Sequence, residues 1–208
     1  MKLKIPGDAS QITLQQFMDY HGAADDCERV MVIINKSREY CEQLKAETVH
    51  TIVTLFDEVI DSSSSNFERI ISVNGKRLGF IPDINGMTFR EHVDLDQLSK
   101  SIWLTNGKTD YTNLAQLMAI LYRPIKEQVG QYYNLVKYDS DGVKKYLPAI
   151  NGLTMDRVQG GLLFFSSIGA ELVNNSLHYL DGILAKEMRT IIPPTVSPDG
   201  GGITYSNQ

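Results

Sequence analysis

Residues 69–82, RIISVNGKRLGFIP, constrain this chain more than any other stretch. Two short apolar runs flank Asn74-Gly75, and both of those residues tolerate the positive φ that a two-residue type I′ turn requires. An antiparallel β-hairpin is therefore expected here, with Pro82 ending its second strand. The sequence just before it has a different period. In KAETVHTIVTLFDEVI, Val49, Ile52, Val53, Phe56, Val59 and Ile60 follow the spacing of an amphipathic helix. A hairpin set among helical segments, without regular strand–helix alternation, points to an α+β fold rather than a doubly wound parallel sheet.

The remaining segments fill out this picture. KLKIPGD, at 2–8, reads as a short strand ending at Pro6-Gly7. Thr13 has the position of an N-cap for LQQFMDYH. In ADDCERVMVIIN the acidic residues come early, where a helix N-terminus favours them, and Val30, Ile33 and Ile34 share a face. The serine-rich 61–67, DSSSSNF, is the clearest interior linker. NLAQLMAILYRPI reads as a helix with Leu114, Leu117, Met118 and Leu121 on one side, ended by Pro124. QYYNLVKYDSDGVKKYL carries an extended run and an Asp141-Gly142 turn, so a second hairpin is expected. The longest helix runs from about Thr154 to Asp181, with Gly160, Gly161 and Gly169 permitting close packing. Prolines and glycines punctuate IIPPTVSPDGGGITYSNQ, which excludes a regular helix. The expectation is a mainly helical α+β fold with two short β-hairpins forming a small antiparallel sheet. It comprises one globular domain, 1–189, with a sub-boundary left open at 61–66, followed by an extended C-terminal arm, 190–208.

Residues 79–96, GFIPDINGMTFREHVDLD, look chemical at first sight. Thr88 followed three residues later by Glu91 has the form of a capping box. Asp83, Asn85 and Gly86 supply the turn between hairpin and helix. A divalent cation held by Asp83, Asp94 and Asp96 is the alternative, but the dense oxygen-ligand spacing of a calcium loop is missing. Strand, turn and capped helix account for most of these polar residues without a ligand.

Other chemistries find little footing. The net charge of −5 argues against broad nucleic-acid binding, which needs a basic face. Tyr122, Tyr132, Tyr133, Tyr138 and Tyr146 stand beside Lys137, Lys144 and Lys145, a composition that can stack single-stranded nucleic acid. Strand residues packing on a helix, with the lysines reaching water, is the preferred reading. His21, His50, His92 and His178 form no HExxH or close pair. Cys27 and Cys41 lack zinc-ligand spacing and read as small buried thiols. Neither a nucleophile elbow, nor a P-loop, nor G-x-G-x-x-G is present. No catalytic residue, cofactor or metal ligand is assigned. GLLFFSSIGAELV is too short and too polar to span a bilayer, and MKLKIPGDAS has no apolar run of signal-peptide length.

The order of ITLQQFMDYH, NGKRLGFIPDINGMTFREHVDLDQL, LAQLMAILYRPI and MDRVQGGLLFFSSIGAEL resembles a family of proteins encoded by tailed bacteriophages, including crAss-like phages of Bacteroidetes hosts. The similarity covers most of residues 10–180 and excludes 190–208. FIPDINGMTFREHVDLD and LMAILYRP are its most specific pieces. Members lie among virion-morphogenesis genes, and the resemblance carries no active-site residues. It implies a structural virion protein, a multi-copy head-tail connector or ring component near the portal, neck or tail. The alternative is a tail assembly chaperone that binds a tail protein during morphogenesis; a small hydrolase ranks third. The implied partners are other phage structural proteins and further copies of the chain, with no membrane and no direct nucleic-acid contact expected. The implied location is the virion, after synthesis in the bacterial host cytoplasm. Heterologous rings need two different faces on each subunit. The residues put forward for such contacts are Asn74, Gly75, Lys76 and Arg77 in the hairpin, and Pro193, Pro194, Val196, Pro198, Ile203 and Tyr205 in the arm.

Overall fold

Capping residues fix where the first helices begin. The computed structural model describes residues 3–62, 65–84, 86–103 and 109–168. The chain divides into two compact units, 1–165 and 166–208, and 61–66 falls inside the first. Helix α1 (Leu14–Gly22) starts where the Thr13 side chain accepts from Gln16 N at 3.2 Å. Helix α2 (Asp26–Ile34) starts where the Asp25 carboxylate accepts from Glu28 N, while Glu28 reaches back to accept from Ala24 N, both at 2.8 Å. It stops at Asn35, which takes a left-handed φ of 50°. Ser37 caps the short α3 (Arg38–Glu42). Helix α4 (Ala46–Ser62) follows and buries Ile52, Val53 and Phe56, the face its periodicity predicts.

Helices α1, α2 and α4 pack together through Phe17, Tyr20, Val30, Ile33, Ile52 and Phe56, all buried. Each such large apolar side chain contributes about 1.5–3 kcal/mol on leaving water. The Tyr20 hydroxyl keeps a partner by donating to Asp57 Oδ1 at 2.7 Å. Burial, with that carboxylate beside it, raises the Tyr20 pKa.

The short strand expected at 2–8 does not form among the described residues. Pro6 has no N–H to give a ladder, and Asp8 instead accepts from Ser10 N at 2.8 Å, starting a 3₁₀ turn at Ala9–Gln11. Extended pairing occurs a little later, where Thr13 bridges Thr154 antiparallel. Leu14 N donates to Leu153 O at 2.7 Å and Met155 N to Ile12 O at 2.9 Å.

Both hairpins exist and share one antiparallel sheet of order β1-β2-β3-β4. Strands β1 (Ile70–Val73) and β2 (Lys76–Phe80) close around Asn74 and Gly75, whose φ values of 50° and 74° are those of the predicted turn. The chain then leaves the sheet for α5 (Phe89–Trp103) and α6 (Leu114–Leu121) before returning as β3 (Tyr122–Val129) and β4 (Tyr132–Leu135). Helix α6 is buried nearly all round, with only Gln116 escaping, so it acts as the central pillar. Sheet residues Ile71, Val73, Leu78, Phe80 and Tyr122 are buried in the same continuous core.

Two expectations need correction here. The second hairpin turns at Gly130 and Gln131, one segment earlier than predicted, and Gly142–Lys145 forms a 3₁₀ helix. Gly130 carries a φ of 59°, which suits the turn, whereas Asp139 accepts from Asp141 N and winds the later segment inward. Pro124 does not end α6 either. The helix has already stopped at Leu121, and Pro124 lies inside β3, opposite Leu78.

After α7 (Leu147–Asn151), helix α8 begins at Met155 and continues through residue 165. Its predicted course beyond residue 168, with Gly169, lies outside the described residues. Gly160 does what its lack of a side chain allows. A Cβ there would sit 2.3 Å from Asn66 O and 2.4 Å from Asn66 C, so the helix backbone runs directly against the chain entering β1. Asn66 N donates to Asp156 O at 2.9 Å, and Phe164 stacks on Phe67 with centroids 3.9 Å apart.

Candidate assembly surface

In the segment 79–96 the side chains of Thr88, Glu91, Asp94 and Asp96 all bond within the chain. Glu91 Oε2 accepts from Thr88 N at 2.6 Å and from Thr88 Oγ1 at 2.7 Å, while Glu91 N donates to Thr88 Oγ1 at 3.3 Å. The capping box is therefore reciprocal, as the spacing predicts. Its other oxygen, Oε1, meets Arg123 Nη1 at 2.6 Å, and both side chains are more than nine-tenths buried. Sequence spacing gave no sign of this ion pair, because 32 positions separate its partners along the chain and one lies on α5 while the other lies on β3.

Pro124 explains the arginine's place. Val136 N donates to Pro124 O at 2.9 Å, but the proline has no N–H to return. Arg123 Nη1 donates to Val136 O at 3.3 Å in its stead. One guanidinium thus neutralises a buried carboxylate and satisfies the carbonyl the proline strands. Asp94 faces elsewhere. It takes a hydrogen bond from Tyr138 at 2.8 Å and pairs with Arg90 at 3.0 Å. Burial opposes its ionisation, yet these two donors hold its carboxyl below the ordinary aspartate value of 3.8. Asp96 pairs with Lys100 along the helix. Asp83, Asp94 and Asp96 do not gather, and no group of three His, Cys, Asp or Glu suited to a metal occurs among the described residues.

The tyrosines are largely committed to packing. Tyr122 donates to Glu68 O, Tyr133 to Phe80 O, Tyr138 to Asp94 and Tyr146 to Ala119 O. Burial raises all four, pushing the Tyr146 hydroxyl up to about 12. The Tyr133 ring lies across β2 at Gly79, where a Cβ would come within 2.5 Å of it. Only Tyr132 projects, 75% exposed, beside Val129 at 81%, so the tip of the second hairpin presents apolar area to solvent. Phe89, at the start of α5, is 84% exposed. This arrangement is not a row of stacking platforms.

His21 packs edge-on against Phe17 and Tyr20 and beside Tyr111, and burial lowers its pKa. His50 and His92 are exposed on α4 and α5, and His178 lies outside the described residues. Cys41 is buried and Cys27 half-buried; both are free thiols. Burial pushes the Cys41 thiol up.

The hairpin residues put forward as contacts all lie on the surface. Asn74, Gly75, Lys76 and Arg77 are exposed at the β1–β2 turn. Three of them also bond within the chain: Asn74 Nδ2 to Pro148 O, Lys76 Nζ to Lys145 O at 2.6 Å, and Arg77 to Gln128. Lys76, Lys137 and Lys145 are among the residues that line a groove of about 390 Å³. Pro124, Val136 and Tyr146 line it, and Asp139 is its single acidic residue. Neither Lys137 nor Lys145 has an ion-pair partner among the described residues. The arm residues Pro193, Pro194, Val196, Pro198, Ile203 and Tyr205 lie outside the described residues.

No helix among the described residues is long and apolar enough to cross a membrane. In comparisons with protein-family models, curated proteins and solved structures, nothing matches this chain.

Proposed function

We propose that this chain is a structural protein of a tailed-phage virion, a multi-copy connector or ring component near the portal, neck or tail. The observation that supports it most is the surface around the two hairpins. Val129 and Tyr132 stand in solvent at one tip, and three lysines line a groove near the other together with Pro124, Val136 and Tyr146. Large exposed apolar side chains of this kind are what a subunit buries against a neighbour. Partners would be other phage structural proteins and further copies of the chain.

Mass spectrometry of purified particles tests the reading. A connector is recovered from mature virions in multiple copies. Recovery from infected-cell lysate together with a tail protein, but not from virions, would instead favour the tail assembly chaperone. Absence from both kinds of complex would refute the assembly role altogether.

A further inference from the structure

We infer that the lysine-lined groove receives helix α4 of a second copy of this chain, giving a head-to-tail contact; this rests on the multi-copy reading above. Helix α4, AETVHTIVTLFDEVIDS, holds Glu47, Asp57, Glu58 and Asp61 and has no lysine or arginine. Asp57 is turned to Tyr20. Glu47, Glu58 and Asp61 are exposed and have no ion-pair partner among the described residues. Leu55 lies between them on the outer face, 42% exposed. Residues 47, 51, 55, 58 and 61 are spaced by four or three, so they form one stripe along the helix. At a rise of 1.5 Å per residue, Asp61 lies about 9 Å along the axis from Leu55, and Glu58 about 4.5 Å.

The groove has the complementary pattern. Its lining offers Pro124, Val136 and Tyr146 to an apolar side chain and Lys137 and Lys145 to carboxylates, with Lys76 Nζ held beside them on Lys145 O. Leu55 would seat among the apolar residues while Glu58 and Asp61 reach the lysines. A phosphate or nucleic-acid backbone would meet the charges but leave the apolar lining unused. An acidic helix carrying a central leucine uses both. Because the stripe and the groove are different surfaces of one chain, the contact is heterologous and propagates to a ring or an open filament.

Charge reversal of the full-length chain tests this. In Lys137→Glu/Lys145→Glu both surfaces are acidic; in Glu58→Lys/Asp61→Lys both are basic. Each variant alone should self-associate about a hundredfold or more weakly than the wild type by sedimentation velocity at low salt, since like charges meet. An equimolar mixture of the two should recover association, because each then offers the surface the other needs. Far-UV circular dichroism of each variant checks that its fold is retained, and Lys144→Glu, outside the groove lining, serves as the control and should associate as the wild type does. A wild type that stays monomeric overturns the inference. So do reversed variants that associate as the wild type does, or a mixture that fails to recover. If the chain is found in virions while the reversals have no effect, this contact alone falls. If the reversals behave as expected while virions lack the chain, the virion reading alone falls.

Discussion

Replacing Glu91 by alanine probes the interaction on which the sheet and α5 jointly depend. Two losses follow. The capping box goes, since Glu91 no longer accepts from Thr88 N and Oγ1, and such a cap is worth about 1 kcal/mol. Arg123, with a side chain only 9% exposed, also loses its carboxylate. Removing one member of a buried pair costs about 3–5 kcal/mol, because the other charge is left without compensation. Together they predict a loss of about 4 kcal/mol, since Arg123 Nη1 keeps its bond to Val136 O and rearrangement lets some water in. For a chain of this size that lowers Tm by roughly 8–16 °C. Urea unfolding of the wild type, Glu91→Ala, Arg123→Met and the double variant closes a double-mutant cycle. The double variant should be more stable than Glu91→Ala alone, since it removes the orphaned charge, although Val136 O then lacks its donor. A loss under about 1 kcal/mol for Glu91→Ala, or a coupling within the cycle's additivity error of about 0.5 kcal/mol, would refute the reasoning.

Two further outcomes follow from other contacts. Gly160→Ala should destabilise by about 1–3 kcal/mol despite alanine's better helix propensity, because its Cβ would press on the Asn66 backbone at 2.3 Å; a rise in the urea midpoint would show that this approach is not tight. The Asp94 carboxyl is held below the ordinary value of 3.8, so its contribution is present above that pH and is lost as pH falls through the lower folded value. Asp94→Asn should therefore flatten this part of the acid limb, and stability–pH profiles that stay parallel to the wild type would contradict it.

The local level of this fold was legible in the residues. Asn74-Gly75 specified its turn, Thr13 and Thr88 specified helix starts, and the apolar spacing of α4 specified its buried face. Each of these depends on atoms only a few positions apart, so propensity and period suffice. The candidate surface was legible only in part. Lys76 was within view because its turn was, but the groove that joins it to Lys137 and Lys145 is made by chain segments roughly 60 positions apart in the sequence. The predicted turn at Asp141-Gly142 and the helix stop at Pro124 went wrong for a related reason. Both are good local signals, and tertiary pairing chose Gly130 and Leu121 instead.

By itself the sequence determined the kinds of element, most of their starts and the α+β class, because those follow from hydrogen bonds and side-chain periods within a single turn or strand. Only the tertiary structure decided that Arg123 would meet Glu91, that Gly160 would admit the Asn66 backbone, and that three lysines would line one groove. Such pairings depend on which distant segments the core draws together, and burial is non-directional: it rewards enclosing apolar area without saying which polar groups will be enclosed beside it.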